Sequence, residues 1–335
     1  LLFLVLIYMS LAMGPYDCTP ADIWGTSSSN VFVVGNGVFH YDGKSWSKMD
    51  FQYNSWLEAI SGDSPNNIYA VGGNPGYSGK IFHCNGNSWV EELWGPDIEV
   101  YESYLNDIWV GSPSNIFAVG INGTIIHNEG SDWKQIMSPT TSELISVWGI
   151  SHSNVFAIGM DSTILNFNSS ACNIIEVDYN GELSGVYGIS SNNTFAYGST
   201  LLQYNGSIWT EMTEMSGSHL IDMWSTPTND LLAVSSSGII YQYDGSHWNV
   251  SSNSETPKSL NAAWGTSPTD IFAISSDTST HLGKGNIFHF DGNEWTWMGL
   301  GLDTHFWFML ATGVYFVIGT ATLFVIWRRR KSKAW

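Results

Sequence analysis

The sequence predicts an all-β fold: a seven-bladed β-propeller with four antiparallel strands per blade, followed by one C-terminal transmembrane helix. Three observations predict it. One unit of about 40 residues is written seven times. Each unit holds four short strand-like runs separated by turn residues. Charged residues make up only 12% of the chain, whereas Gly alone numbers 34, a balance that suits strands and polar turns better than surface helices. The 17 Trp, 15 Tyr and 16 Phe supply ample material for a core.

The first run of each unit is short, apolar and aromatic. It carries Trp24, Trp109, Trp148, Tyr187, Trp224 and Trp264, and its second copy is degenerate around Ile60. Successive anchors stand 36, 49, 39, 39, 37 and 40 residues apart. After a polar turn comes the second run: VFVVG, IYAVG, IFAVG, VFAIG, TFAYG, LLAVS and IFAIS, beginning at residues 31, 68, 116, 155, 194, 231 and 271. Runs this apolar read as strands buried on both faces. The third run ends in D-G or N-G in most copies (VFHYDG, IFHCNG, IFHFDG), a hairpin signal because Gly accepts positive φ cheaply. The fourth opens with Trp46, Trp89, Trp133, Trp209, Trp248 and Trp295, whereas the fourth copy reads SSACNII and has no Trp. A unit of this size cannot bury its own faces, so the units must pack round a ring. A β-solenoid, the alternative, requires shorter and more uniform repeats.

The [YF]-[DN]-G-x-x-W phrase resembles the Asp-box of sialidase-type propellers, at turns around Asp42, Asn85, Glu129, Asn205, Asp244 and Asp291. The Ser that opens an Asp-box is absent, so the resemblance implies architecture only. It places these turns between the third and fourth strands, on the face away from an active site. The whole unit also resembles the WGxSxxDVFAVGxxGxIxHYDGxxW repeats of secreted microbial propellers.

Little in the repeat reads as chemistry. His40, His83, His127 and His289 occupy one point of the third strand, where other copies carry Asn166, Gln203 and Gln242. One polar group per blade at one point predicts a hydrogen-bonding role, not a metal cluster, and no metal or cofactor is expected. Calcium-loop, GxSxG, Walker A and HExxH phrases are absent. Sialidases hold their carboxylated substrate with three arginines, and no Arg precedes residue 328 here. A glycosidase with paired carboxylates remains open, since 30 acidic groups make pairs easy to propose.

Both ends point to a membrane. Residues 1–14, LLFLVLIYMSLAMG, read as a signal segment with cleavage after Ala12 or Gly14, an uncleaved anchor being the alternative. Because the chain opens on Leu1, the basic region of such a segment is expected upstream. Residues 306–327 contain no charge, and about 22 residues at about 1.5 Å each span about 33 Å. The basic tail 328–335 follows, as on the cytoplasmic side of a membrane. The ectodomain, 17–299, is thus expected outside the cytoplasm, at the cell surface. Before residue 305 the chain has six Lys, no Arg and all 30 acidic groups, a formal −24, which repels nucleic acid. Of the three cysteines, Cys18 and Cys84 are the expected disulfide. Asn122, Asn168, Asn192, Asn205 and Asn249 open N-x-S/T sequons, which matter only in a glycosylating host.

What breaks the repeat marks the expected binding face. In a propeller, the links after the second and fourth strands emerge on one side. Three such links are long: 72–80, 90–107 and 275–285. They carry Tyr77, Trp94, Asp97, Glu99, Tyr101, Tyr104 and His281, aromatics and acids suited to stacking on a sugar or holding a cationic partner. The alternative is that 90–107 merely covers the degenerate second blade. The expected function is a non-catalytic binding or adhesion module for a glycan, peptide or surface protein. A surface polysaccharide hydrolase or lyase and a structural coat component are the alternatives.

Overall fold

The computed structural model describes residues 19–73, 79–92, 104–168, 171–179, 181–215, 217–252, 260–275 and 286–298. They form seven four-stranded antiparallel sheets, each built from four consecutive strands. Blade 1 comprises Pro20–Ser27, Asn30–Gly35, Val38–Tyr41 and Trp46–Lys48. Blade 7 comprises Leu260–Ser267, Asp270–Ser275, Asn286–Phe290 and Trp295–Trp297. Every apolar run expected as a second strand is one. The expected signal segment, span and basic tail lie outside the described residues. Among the described residues no helix is long and apolar enough to cross a membrane.

The second strands are apolar throughout because each has a neighbour on both sides. In Asn30–Gly35, Phe32 and Val34 pack toward blade 2 with Leu57, Ile68 and Phe82. Val31 and Val33 face the other way, toward Ala262, Phe272 and Ile274 of blade 7. That second cluster also closes the ring. Among the described residues no strand is exchanged between the first and last blades, and side-chain packing joins them.

Three repeated devices hold each blade in register. The first is the polar group of the third strand. His40, His83, His127 and His289 bond through Nε2 to Asn30, Asn67, Asn115 and Asp270 at 2.7–3.2 Å. Asn166, Gln203 and Gln242 bond to Asn154, Asn193 and Asp230 in the same way. The partner opens the second strand in six blades and immediately precedes it in blade 6, so this pair ties the second and third strands together. The His rings also lie against the aromatic opposite, as His127 does on Phe117 with centroids 4.0 Å apart.

The second device is the turn between the third and fourth strands. Asp42 Oδ1 accepts the N–H groups of Lys44 and Ser45 at 2.9 and 2.8 Å. Asn85, Asn205, Asp244 and Asp291 repeat this arrangement. Blade 3 differs: Asn128 accepts the Gly130 N–H, while Glu129 turns outward to Lys134 at 2.7 Å.

The third device is the fourth-strand Trp, which packs on the preceding blade. Trp209 meets Phe156 edge-on at 5.4 Å and 86°, and Trp248 meets Phe195 at 5.5 Å and 81°. Trp133 reaches Tyr69 at 6.2 Å and 74°.

Candidate functional site: the central channel

The first strands line a central channel of about 470 Å³. Its walls carry two rings of side chains, each with a rule that runs from one blade to the next.

The upper ring is set by the residue two before the aromatic anchor. Blades 1, 3 and 6 place Asp22, Asp107 and Asp222 there, and blade 4 places Ser146. Each Asp accepts the N–H of its own successor through Oδ1: Ile23 at 2.8 Å, Ile108 at 2.7 Å and Met223 at 2.7 Å. Through Oδ2 each accepts the corresponding N–H of the next blade: Ile60 at 2.8 Å, Val147 at 2.7 Å and Ala263 at 2.8 Å. Ser146 Oγ accepts the last one, Val186 N–H, at 3.2 Å. Three carboxylates and one hydroxyl therefore satisfy all seven inward N–H groups at this level. Backbone donors withdrawn from bulk water require such partners. The three remaining blades carry Ala59, Gly185 and Ala262, and each is followed round the ring by a blade whose Asp serves its own N–H.

Gly185 leaves a space that another side chain fills. Its strand partner is Tyr197, where the other second strands carry Val or Ile. A Cβ on Gly185 would run into the Tyr197 ring and hydroxyl. Tyr197 is buried, and burial first, then the carboxylates of Asp222, Asp107 and Asp22, raises the pKa of its hydroxyl.

The carboxylates line the channel but lie deep in the ring. Burial is the largest influence on each, and mutual repulsion adds to it for Asp107 and Asp222. Asp22 is pushed up to about 6, Asp107 to about 7 and Asp222 to about 8, the backbone bonds pulling the other way.

The lower ring is aromatic: Trp24, Trp109, Trp148, Tyr187, Trp224 and Trp264, with Ser61 in blade 2. Trp24, Trp109, Trp224 and Trp264 each meet a Gly of the next blade. A Cβ at Gly62 would lie 2.8 Å from the Trp24 ring, one at Gly149 2.6 Å from Trp109, and one at Gly25 2.9 Å from Trp264. The Trp224 indole donates to the Gly265 carbonyl at 3.2 Å. Where the lining residue is smaller or polar, the Gly disappears. Ser61 faces Val110 and accepts its N–H at 3.2 Å, and Tyr187 faces Ser225 and accepts its N–H at 3.1 Å. The recurrent W-G phrase is thus two halves of two contacts, one to each neighbouring blade.

Of the residues expected to bind, Tyr77, Trp94, Asp97, Glu99, Tyr101 and His281 lie outside the described residues. Tyr104 is half-buried, and its hydroxyl donates to Glu58 Oε1 at 2.6 Å across the seam between blades 2 and 3. Burial, then that carboxylate, raises its pKa. Cys84 is fully buried among Phe32, Phe82 and Trp89, while Cys18 lies outside the described residues. Asn122 sits in the short turn Ile121–Gly123, and Asn168 ends the third strand of blade 4. Asn192 lies in the turn between the first two strands of blade 5, where Ser190 bonds to it. Asn205 caps a turn, and Asn249 donates to Asp244 at 3.0 Å.

The residues that organise the channel, Asp22, Asp107, Asp222 and Tyr197, were not among those expected. Their signal was present: an Asp two before the aromatic anchor in copies 1, 3 and 6, and one Tyr among seven otherwise aliphatic or small positions.

No family model matches the chain, and no curated protein matches it in sequence. Solved propellers match it in fold. A structure of YCF48 bound to D1 peptide aligns with TM-score 0.61 and 14% identity, over 78% of this chain and 92% of that one. YCF48 from Cyanidioschyzon merolae gives 0.59 and 15%, over 78% and 94%. A catalytically inactive virginiamycin B lyase from Staphylococcus aureus, with quinupristin, gives 0.60 and 11%, over 75% and 87%. What the chain shares with these proteins is the propeller architecture.

Proposed function

We propose that this chain is a membrane-anchored binding module whose extracytoplasmic propeller holds an extended, cationic polypeptide segment. The site is the face carrying 72–80, 90–107 and 275–285, and the channel beneath it is structural. The observation that carries this reading is the contrast between the two faces. In six blades the link between the first and second strands is the same two-residue turn, as between Ser112 and Asn115. Five of the turns after the third strands share one hydrogen-bonding scheme. The strands that flank the insertions end at Gly73, Glu91 and Ser275 on the other face, where a binding surface is free to vary.

Charge selects the partner's sign. With −24 before residue 305, the ectodomain attracts basic segments and repels acidic ones. The match to a propeller solved with a D1 peptide supports a polypeptide ligand over a glycan. The second reading, a hydrolase or lyase, draws on the raised pKa of Asp107 and Asp222, which suits general-acid chemistry. Both oxygens of each are already committed to backbone N–H groups, which supports the structural role.

The seven sheets lie within residues 20–297, which supports using the segment 17–299 for the test. Arrays of extended peptides and of glycans, probed with that ectodomain, test the proposal. Retention of basic peptides, weakened by added salt, is expected. Glycan binding without peptide binding, or release of reducing ends from polysaccharide, would overturn it.

A further inference from the structure

The seam between blades 3 and 4 differs from the other six in one residue. Register places Cys172 opposite Phe167. The same pairing places Trp209 opposite Tyr204 and Trp248 opposite Tyr243. Cys172 therefore stands in the slot that six blades fill with an indole. In five of those seams the indole packs on the second-strand aromatic of the preceding blade, and in the sixth Trp295 packs on the cluster that holds Leu232. Here that aromatic is Phe117, and Phe167 already approaches it at 5.4 Å, as Tyr204 approaches Phe156 at 5.2 Å. The place of the indole beside it is a cavity of about 280 Å³.

The lining is what an aromatic ring requires. Phe117 forms the floor, with Phe167, Ile136 and Cys172 beside it, and His127 and His152 on the remaining side. Burial lowers the pKa of His127 to about 4 and pushes the Cys172 thiol up to about 12, so both are neutral near pH 7. Glu129 and Lys134 pair at the rim at 2.7 Å. The space exceeds the roughly 150 Å³ that admits benzene in an apolar cavity. The buried indole N–H groups of Trp46, Trp89, Trp133, Trp209, Trp248 and Trp295 bond to no oxygen or nitrogen. An incoming indole therefore needs no acceptor that this seam fails to provide.

We infer that the seam between blades 3 and 4 is a binding site for an indole group, the side chain of a tryptophan presented by a partner polypeptide. The partner completes the seam as the chain's own Trp residues complete the other six. The site lies near the face of the third-to-fourth strand turns, opposite the insertions, so it is a second site and does not depend on the first.

The test uses ¹⁹F NMR with two probes, 5-fluoroindole and N-acetyl-5-fluorotryptophanamide, added to the full chain. Both are expected to bind saturably with a Kd of about 1 mM or tighter. Cys172→Trp should abolish binding and raise Tm by about 2–4 °C, since it supplies the indole covalently. In the unmutated protein the His127 and His152 imidazole signals should shift on titration and that of His247 should not, a readout that stands even if the variant fails to fold. Unchanged binding in Cys172→Trp, or shifts confined to other histidines, would overturn the assignment. Binding of 5-fluoroindole with the capped amino acid excluded would overturn the polypeptide partner in favour of a free aromatic compound.

Discussion

Asp222 accepts the N–H of Ala263 at 2.8 Å, across a blade seam and 41 positions along the chain. With Asp22 on Ile60 and Asp107 on Val147, it bridges seams that sheet pairing within blades does not join.

Asp222→Ala should therefore destabilise the propeller by about 2 kcal/mol at pH 6, because two inward N–H groups lose their acceptor while channel water replaces part of the loss. Ala262→Ser, at a position already without a clasp, should change stability by less than about 0.5 kcal/mol. Urea denaturation of both variants gives the comparison.

The same carboxylates set a pH dependence of unusual sign. Their folded pKa values, about 6, 7 and 8, lie above the ordinary carboxylate value. Between those values and about 4, the folded state holds more protons than the unfolded one, so stability falls as pH rises. The slope is about 1.4 kcal/mol per pH unit for each excess proton. His127, held neutral with a pKa lowered to about 4, acts the other way below its ordinary value of 6.5. Tm should thus rise from pH 8 to about pH 6.5, and Asp222→Asn should flatten that rise.

The Trp109–Gly149 contact predicts a coupling between blades. Gly149→Ala puts a Cβ 2.6 Å from the Trp109 ring and should cost about 1–3 kcal/mol. In a Trp109→Ser background, which copies the Ser61–Val110 seam, the same substitution should cost less, the remaining close contact being Val155 Cγ2 at 2.8 Å. A double-mutant cycle measures the difference.

Much of this was legible in the repeat. The seven second strands, the polar group of the third strand and the turns at Asp42, Asp244 and Asp291 follow from local pattern, and the structure contains them all. The clasp of Asp107 on Val147 was not legible, because its meaning depends on a backbone group in another unit. The missing Trp at Cys172 was visible as a broken repeat. That it opens a cavity follows only once Phe117 of the preceding blade is placed beside it. The insertions holding Trp94, Tyr101 and His281 have no counterpart in other units, so the repeat carries no information about their conformation.

The proposed anchoring predicts that protease added to intact cells releases the ectodomain and leaves 306–335 in the membrane fraction. Loss of the RRRKSK end from outside would reverse the orientation.

The most direct measurement is the affinity of the ectodomain for the basic peptide best retained on the array, before and after joint replacement of Trp94 and Tyr101 by Ala, with Tyr104 left in its seam bond to Glu58. Binding at the insertion face predicts a loss of about 2 kcal/mol or more, roughly 30-fold, with Tm nearly unchanged. Intact affinity together with a large drop in Tm would show that residues 90–107 seal blade 2 and that recognition lies elsewhere.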